Sequence, residues 1–263
     1  MDCGLKGKVA LVTAASKGLG KAVALELSKE YASVIICSRN DENLKQAKEE
    51  ISQKTGKNVK TFIVDITNDK QVKNMMKQIR KEFNGVDILV NNAGGPPAGM
   101  FDEFSIEDYR NAIELNLISA IRLTYAVIPY MKSKKWGRII NNTSVSAKQP
   151  LDNLILSNTA RAGVLGFTKS ISNQLAPFGI TANAICPGYT KTGRVENLAK
   201  SFEKSGKGSI KDFYQNIEQQ VPMQKIGTPE EFAKTVVFLA SQNASYITGI
   251  ALQIDGGFIK SLF

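Results

Sequence analysis

A glycine-containing turn near the amino terminus decides between the folds that this chain could adopt. The turn follows the apolar segment 8–13 and reads Thr13-Ala14-Ala15-Ser16-Lys17-Gly18-Leu19-Gly20. Glycine lets the backbone turn sharply and approach a bound pyrophosphate, while a helix that begins at the turn presents free N–H groups to the anion. A strand, this turn and a helix in that order therefore indicate the first unit of a dinucleotide-binding sheet.

Short apolar segments alternate with amphipathic ones along the chain of 263 residues. Most of the apolar segments lack polar alternation, which predicts parallel strands covered on both faces. Alternation alone allows an open sheet or a closed barrel, and the glycine turn favours the open sheet. We predict a single α/β domain over 1–263, a doubly wound Rossmann-type three-layer sandwich with a seven-stranded parallel sheet. The predicted strands are 8–13, 33–38, 59–65, 88–91, 137–144, 181–186 and 252–255, and the predicted helices are 20–30, 42–54, 70–83, 106–134, 153–176 and 229–241.

The region 190–220 departs from this alternation of apolar and amphipathic segments. It is polar and rich in Lys and Ser, and it contains Gly193, Gly206 and Gly208. A long insertion after a strand is more often a binding lid than structural filler. We expect this region to cover the substrate.

Composition excludes several classes of site. The chain has no histidine, which excludes histidine general bases, histidine triads and histidine-ligated metals. The three cysteines have no metal-type spacing, so we predict no metal site and free thiols in a reducing compartment. The uninterrupted apolar runs have the length of strands and the first residues do not resemble a signal peptide, so we expect a cytoplasmic protein without a membrane span.

The net charge of +10 allows either a nucleic-acid partner or an anionic small molecule. The densest basic run, 132–138, includes Trp136 but no further aromatic residue. A solvated helix end before a tight turn explains that run more simply. A nucleic-acid function has only composition in its favour, and we expect no nucleic-acid partner.

Short motifs follow the turn in a fixed order along nearly the whole chain, from residue 8 to 258. Together with the turn they resemble the short-chain dehydrogenase/reductase family. Ala14 stands where the family's turn has its first glycine, a change that a less sharp turn would tolerate. The motifs are Asp65-Ile66-Thr67, Asn91-Asn92-Ala93-Gly94, Asn116, Gly137-Arg138-Ile139-Ile140 leading to Thr143-Ser144, Pro187-Gly188 with Thr190 and Thr192, and Asp255-Gly256-Gly257.

The resemblance implies both an activity and a set of contacts. It implies hydride transfer between a nicotinamide cofactor and a small-molecule carbonyl or alcohol substrate, in a homodimer or homotetramer. Asn116 and Ser144 match active-site residues of the family. The residues expected to bind the cofactor are Thr13, Ser16, Lys17, Gly18, Leu19, Gly20, Asp65, Ile66, Asn92, Ala93, Gly94, Pro187, Gly188, Thr190 and Thr192.

The end of the second predicted strand indicates which nicotinamide cofactor binds. Sites that select NAD usually place a carboxylate there, on the ribose 2′-hydroxyl. This chain has Ser38 and Arg39 instead. Arg39 and Lys17 can pair with a 2′-phosphate, and Ser16 and Ser38 can donate hydroxyl hydrogen bonds. We therefore predict NADP(H) as the cofactor.

The catalytic positions depart from the family pattern. The resemblance places a general-acid Tyr about a dozen residues after Ser144, with a Lys four residues further on, and this chain has Ser157 and Arg161 there. That spacing keeps both side chains on one helix face. A serine hydroxyl is a poor acid near neutral pH. Arg161 can bind the nicotinamide ribose and hold charge, but it does not relay a proton.

A second pair, Tyr130 and Lys134, matches the Tyr-x-x-x-Lys pattern by spacing alone. It precedes the fifth predicted strand, at the end of a long helix where the chain returns to the amino edge of the sheet. Ligands of such sheets bind at the carboxyl edge. We expect this pair to be structural.

Two functions remain open for the altered site. In the first, Ser144 and Ser157 polarise a carbonyl, and water or another tyrosine, Tyr189 being nearest by position, supplies the proton. In the second, the chain binds NADP(H) without turnover, as a sensor or partner subunit. We favour the first.

Overall fold

The computed structural model describes residues 2–261 and contains one parallel sheet of seven strands. The strands are β1 Val9–Thr13, β2 Ser33–Ser38, β3 Lys60–Ile63, β4 Ile88–Asn91, β5 Gly137–Asn142, β6 Ile180–Pro187 and β7 Ala251–Ile254. They pair in the order β3-β2-β1-β4-β5-β6-β7, and every pair is parallel. The order reverses between β1 and β4, the switch point at which such sheets bind ligands. The predicted fold is confirmed.

Helices cover both faces of this sheet. They are α1 Gly18–Lys29, α2 Asp41–Thr55, α3 Asp69–Phe83, α4 Ile106–Ile113, α5 Ser119–Lys134, α6 Ile155–Leu175, α7 Gly193–Lys204, α8 Ile210–Gln220 and α9 Pro229–Ala240. Val12 of β1 packs in a buried cluster with Leu44 of α2 and Phe232 of α9. Its neighbour Leu11 packs on the opposite face with Leu123 of α5. Successive residues of one strand thus point into two apolar layers, as a doubly wound sheet requires.

The predicted helix 106–134 is interrupted where the family asparagine lies. Between α4 and α5 the chain forms a π-helical segment, Glu114–Ile118, that contains Asn116. Single π turns inside α-helices are rare and often occur at functional sites. Hydrophobic periodicity does not reveal such a turn, because the helix axis continues through it.

The predicted lid 190–220 is more ordered than its composition indicated. It contains α7 and α8, which bury Val195, Ala199 and Ile217. The rings of Phe202 and Phe213 pack with their centroids 5.6 Å apart. A few apolar residues at helical spacing are therefore enough to fold this polar segment.

One helical stretch of the described chain, Ile106–Lys134, is long and apolar enough to cross a membrane by length and composition. Its α5 part packs against α3, β4 and β5. The α5 part is therefore packed into the fold, although the short uninterrupted apolar runs did not indicate such an apolar stretch.

Candidate active site

The carboxyl ends of the central strands open into one cavity of about 540 Å³. Its walls come from the turn after β1, the segment after β4, the end of β5, α6, the loop after β6 and the first turns of α7. This is the edge at which parallel α/β sheets bind ligands. The predicted site residues that line it are Lys17, Gly18, Leu19, Asn92, Ala93, Gly94, Ser144, Ser157, Arg161, Pro187, Gly188, Thr190 and Thr192.

The turn after β1 keeps a sharp backbone although it lacks the family's first glycine. Ala14 has a φ of 45° and Gly18 a φ of 56°, both in the left-handed region. Because Ala14 adopts the left-handed φ that normally favours glycine, the expectation of a less sharp turn is wrong. This conformation costs a residue with a Cβ roughly 1–2 kcal/mol. At Gly20 a Cβ would lie 2.6 Å from Asn92 Nδ2 and 2.8 Å from the Ala14 oxygen. The close approach of these segments therefore requires glycine there.

The amino end of α1 is open to an anion. Lys17 precedes the helix and makes no side-chain capping hydrogen bond. The first N–H groups of the helix are therefore left for a ligand. Lys17 itself is exposed and lines the cavity. This end of the cavity fits a dinucleotide pyrophosphate.

The end of β2 lies beyond this turn and carries the residues predicted to select the cofactor. Ser16 Oγ and Ser38 Oγ are 2.9 Å apart, and Arg39 is exposed. Burial raises the pKa of Asp65, but hydrogen bonds from Thr67 and the charge of Arg39 hold that pKa below its usual range. The predicted residues that do not line the large cavity are Thr13, Ser16, Gly20, Ser38, Arg39, Asp65, Ile66 and Asn116.

Thr13 is buried and fixes the ends of the strands around the turn. Its hydroxyl donates to the Asn92 carbonyl at 2.6 Å and accepts from the Asn92 N–H at 2.9 Å. Asn92 Nδ2 donates to the Thr13 carbonyl at 3.1 Å, and Asn92 Oδ1 accepts from Asn142 Nδ2 at 2.8 Å. Thr13 therefore fixes the positions of these strand ends and does not line the cavity itself.

Ser157 and Arg161 lie on one face of α6, and both are buried, with 6% and 7% of their surface exposed. Ser157 Oγ is 3.2 Å from Ser146 Oγ. Arg161 Nη1 donates to the carbonyls of Asn142 at 3.1 Å and Thr143 at 2.9 Å. These bonds hold the guanidinium at the carboxyl end of β5, where it lines the cavity.

Arg161 is a fixed buried cation. Burial, together with the nearby charge of Arg194, lowers the pKa of Arg161 to about 10, so the guanidinium stays charged at neutral pH. Within residues 2–261 no carboxylate forms an ion pair with it. Such a cation can stabilise an oxygen that becomes negative, but it does not deliver a proton.

Comparison with known proteins agrees with this geometry. A family model described as enoyl-(acyl carrier protein) reductase matches residues 13–259. The chain belongs to the short-chain dehydrogenase/reductase family. The match runs from the last residue of β1 to beyond β7, and it therefore includes every wall of the cavity.

Relatives in this family are similar over nearly their whole length. The 3-oxoacyl-[acyl-carrier-protein] reductase FabG of Vibrio cholerae is 39% identical over 253 residues, which are 96% of this chain and 98% of the relative. That of Aquifex aeolicus is 33% identical over 257 residues, 98% of this chain and 99% of the relative. The crystal structure of L-sorbose reductase from Gluconobacter frateurii, complexed with NADPH and L-sorbose, has a TM-score of 0.94 at 33% identity, with 100% of both chains covered. The predicted class, an NADP(H)-dependent oxidoreductase, is confirmed.

Asn116, the predicted family asparagine, lies behind the cavity wall. Its Nδ2 donates to the Ala112 carbonyl at 3.1 Å, and its Oδ1 is buried without a hydrogen-bond partner in the structure. It borders a second cavity of about 10 Å³ together with Asn91 and Asn142. The side chain of Asn116 is therefore bonded to its own helical stretch and does not line the large cavity.

Tyr189, which the sequence offers as an alternative to water as the proton source, does line the large cavity. Its ring packs edge-on against Phe258, with the centroids 5.4 Å apart. Burial raises the pKa of the Tyr189 hydroxyl, which makes it a weaker acid than a free tyrosine. Tyr189 therefore lacks the lowered pKa that the family's general acid needs.

The pair Tyr130 and Lys134 lies at the other edge of the sheet. Tyr130 packs against Gly85 and borders a separate cavity of about 420 Å³ with Gly85, Val86 and Arg80. Gly85 and Val86 immediately precede β4, which places this cavity at the amino edge of the sheet. The structure agrees with the expected remote position of this pair.

Sequence reasoning missed one cation of the site, Arg194. It lies in the first turn of α7 and lines the large cavity, as do Leu151 and Leu154 on the approach to α6. By contrast, α8 contributes no residue to the lining. The first half of the predicted lid therefore borders the site, and a basic residue directly after Thr192-Gly193 was the available signal.

Proposed function

We propose that the chain is an NADP(H)-dependent reductase of a small carbonyl compound in which Ser157 and Arg161 occupy the positions of the family's Tyr and Lys. One observation carries this proposal. Both side chains are buried on one face of α6 and line the cavity together with Ser144 and the Pro187-Gly188 loop. The 3-oxoacyl substrates of the FabG relatives and the L-sorbose of the sugar reductase support a carbonyl substrate.

The residues around the turn fit NADP(H). The open amino end of α1 receives the pyrophosphate, with Gly18 allowing close approach and Gly20 allowing the turn to pack against Asn92. Arg39 and Lys17 pair with the 2′-phosphate, and Arg161 binds the nicotinamide ribose. When bound, the cofactor supplies a hydride to the carbonyl carbon.

The chain's own residues handle the oxygen of the substrate. The hydroxyls of Ser144 and Ser157 donate hydrogen bonds to the carbonyl oxygen, and the charge of Arg161 stabilises the negative charge that develops there. Water or the hydroxyl of Tyr189, which lines the cavity, supplies the proton, because Arg161 does not release one. General acid–base assistance typically contributes ~100- to 10,000-fold, so this catalyst is slower than its tyrosine-bearing relatives.

Assembly and location complete the proposal. Large apolar side chains remain exposed on α5 and around β7, including Tyr125, Tyr246 and Ile250. These exposed side chains support a homodimer or homotetramer. The proposal keeps the cytoplasmic location without a membrane or nucleic-acid partner that the sequence predicts. The described residues 2–261 form one domain, and the first half of segment 190–220 covers the substrate through the first turns of α7.

The test is oxidation of NADPH by purified protein with a panel of ketones, oxo acids and 3-oxoacyl thioesters. We expect slow turnover with at least one class and tight NADPH binding by fluorescence titration. Tight NADPH binding without turnover of any carbonyl would contradict the proposal.

A further inference from the structure

Arg194 places a second guanidinium at the large cavity. Its Nη2 donates to the Pro96 carbonyl at 2.8 Å. A Cβ at Gly95 would lie 3.0 Å from Arg194 Nε, so the side chain rests where glycine leaves room. Arg194 therefore bridges α7 and the segment that follows β4, and it borders the space between them.

Arg194 and Arg161 both line this cavity, and neither forms an ion pair with another described residue. Burial lowers the pKa of Arg194, whose charge also acts on Arg161. Glu196 lines the same cavity, but among the described side chains neither arginine forms an ion pair with it. Two like charges in a partly buried cavity are unfavourable unless an anion lies near both. The arrangement therefore favours a ligand that brings a negative group.

The position of Arg194 points to the substrate as the source of that group. The pyrophosphate of a dinucleotide has its own partners at the open amino end of α1. Arg194 reaches instead to Gly95 and Pro96, beyond the end of β4, and its charge acts on Arg161 in α6. Its guanidinium thus borders the part of the cavity between α6, α7 and the loop after β4.

We propose that Arg194 determines specificity by binding a carboxylate of the substrate, so that the enzyme reduces an oxo acid to a hydroxy acid. This inference rests on the proposed function, because the carbonyl of the same molecule is reduced beside Ser144 and Ser157. A planar guanidinium matches a carboxylate through two parallel hydrogen bonds. Neutral ketones and acyl thioesters do not offer this free carboxylate.

The test measures binding separately from turnover. Protein saturated with NADP⁺ is titrated by calorimetry with 2-oxooctanoate and with its methyl ester, which differ in the carboxylate charge. We expect the acid to bind at least tenfold more tightly than the ester. The Arg194→Gln substitution should weaken binding of the acid roughly tenfold to hundredfold and leave the affinity for the ester unchanged. Lys200→Gln is the control, because it makes an equal charge change at an exposed position of the same helix outside the cavity. It should change neither the affinity for the acid nor the affinity for the ester.

Three binding results would overturn this inference. The first two are equal affinity for the acid and the ester, and no binding of either compound. The third is a loss of NADPH affinity in Arg194→Gln as large as the loss of affinity for the acid, which would assign Arg194 to the cofactor. The proposed function fails independently, if the wild-type protein prefers the acid but oxidises no NADPH with it or any other carbonyl. Turnover of neutral ketones but not of 2-oxooctanoate by the wild-type protein would keep the proposed function and refute the oxo-acid specificity.

Discussion

Two helical pairs with the same spacing lie at opposite edges of the sheet. Tyr130 and Lys134 end α5 beside the amino end of β4, where the lysine nitrogen lies 5.7 Å from the tyrosine ring centroid. Ser157 and Arg161 lie in α6 at the carboxyl end of β5, and both border the large cavity. The first pair has the residue types of the family's catalytic pair, and in the proposed function the second has its position. That proposal rests on location at the ligand-binding edge, and not on the Tyr-x-x-x-Lys pattern.

Removal of each cation should give the largest contrast between the two pairs. Arg161→Ala should weaken NADPH binding roughly ten- to a hundredfold, because a charge-assisted hydrogen bond contributes about 1.5–3 kcal/mol. Lys134→Ala, the matched change at the other edge, should leave the affinity unchanged. Fluorescence titration of both variants checks this.

Arg161 also holds two backbone carbonyls, so its removal can destabilise the fold as well. Arg161→Lys is therefore the second variant, since it keeps the charge and can still donate to the ribose. It should retain most of the affinity that Arg161→Ala loses. Equal losses in the Arg161→Ala and Lys134→Ala variants, with melting temperatures preserved, would contradict the assignment.

The family's residue types can also be restored at the carboxyl edge. Ser157→Tyr with Arg161→Lys should raise turnover on simple ketones, by about tenfold or more, because it adds a general acid and the cation that tunes it. Ser157→Tyr alone should gain less, since an untuned phenol has a pKa of about 10. Rates at saturating NADPH check both variants.

The restored tyrosine has to fit a buried position. Ser157 is 6% exposed and lies against Ser146, so overpacking can cost about 1–3 kcal/mol. Melting temperature with NADPH present separates a misfolded variant from an inactive one. A stable, NADPH-saturated double variant without any gain would count against a reductase pocket at this edge.

Sequence reasoning succeeded where local pattern and topology agree. Apolar strands and a glycine turn were enough to predict the sheet, because strands covered on both faces cannot be polar. The positions of Ser157 and Arg161 on one face of a helix followed from helical spacing. Both inferences depend on periodicity, which the sequence displays directly.

The sequence did not reveal features that depend on contacts between distant segments. Ala14 keeps a left-handed φ because Thr13, Asn92 and Asn142 fix the surrounding strand ends, and no local rule predicts that conformation for alanine. Asn116 lies in a π turn and does not line the large cavity, and neither property is visible in hydrophobic periodicity. Arg194 donates a hydrogen bond to the Pro96 carbonyl, almost a hundred residues away in the chain, a contact that local sequence does not display.

Cofactor preference tests whether the carboxyl edge holds the nucleotide as well as the catalytic pair. We expect NADPH to bind at least tenfold more tightly than NADH, about 1.4 kcal/mol, because Arg39 and Lys17 lie where the 2′-phosphate is predicted. Arg39→Asp should shift the preference toward NADH. Equal affinities of the wild-type protein for the two cofactors, by fluorescence titration, would place the 2′-phosphate elsewhere.

The smallest expected effect belongs to the tyrosine at the amino edge. Tyr130→Phe should leave NADPH-dependent turnover within about twofold of the wild-type value, because the hydroxyl borders a different cavity and contributes nothing to the transition state. The ring that packs against Gly85 is kept, so the fold should be unaffected. Steady-state rates on the best substrate of the panel check this, with the melting temperature as the control for folding. A hundredfold loss of turnover in a folded variant would mean that chemistry occurs at the amino edge, and it would reverse the assignment of the two pairs.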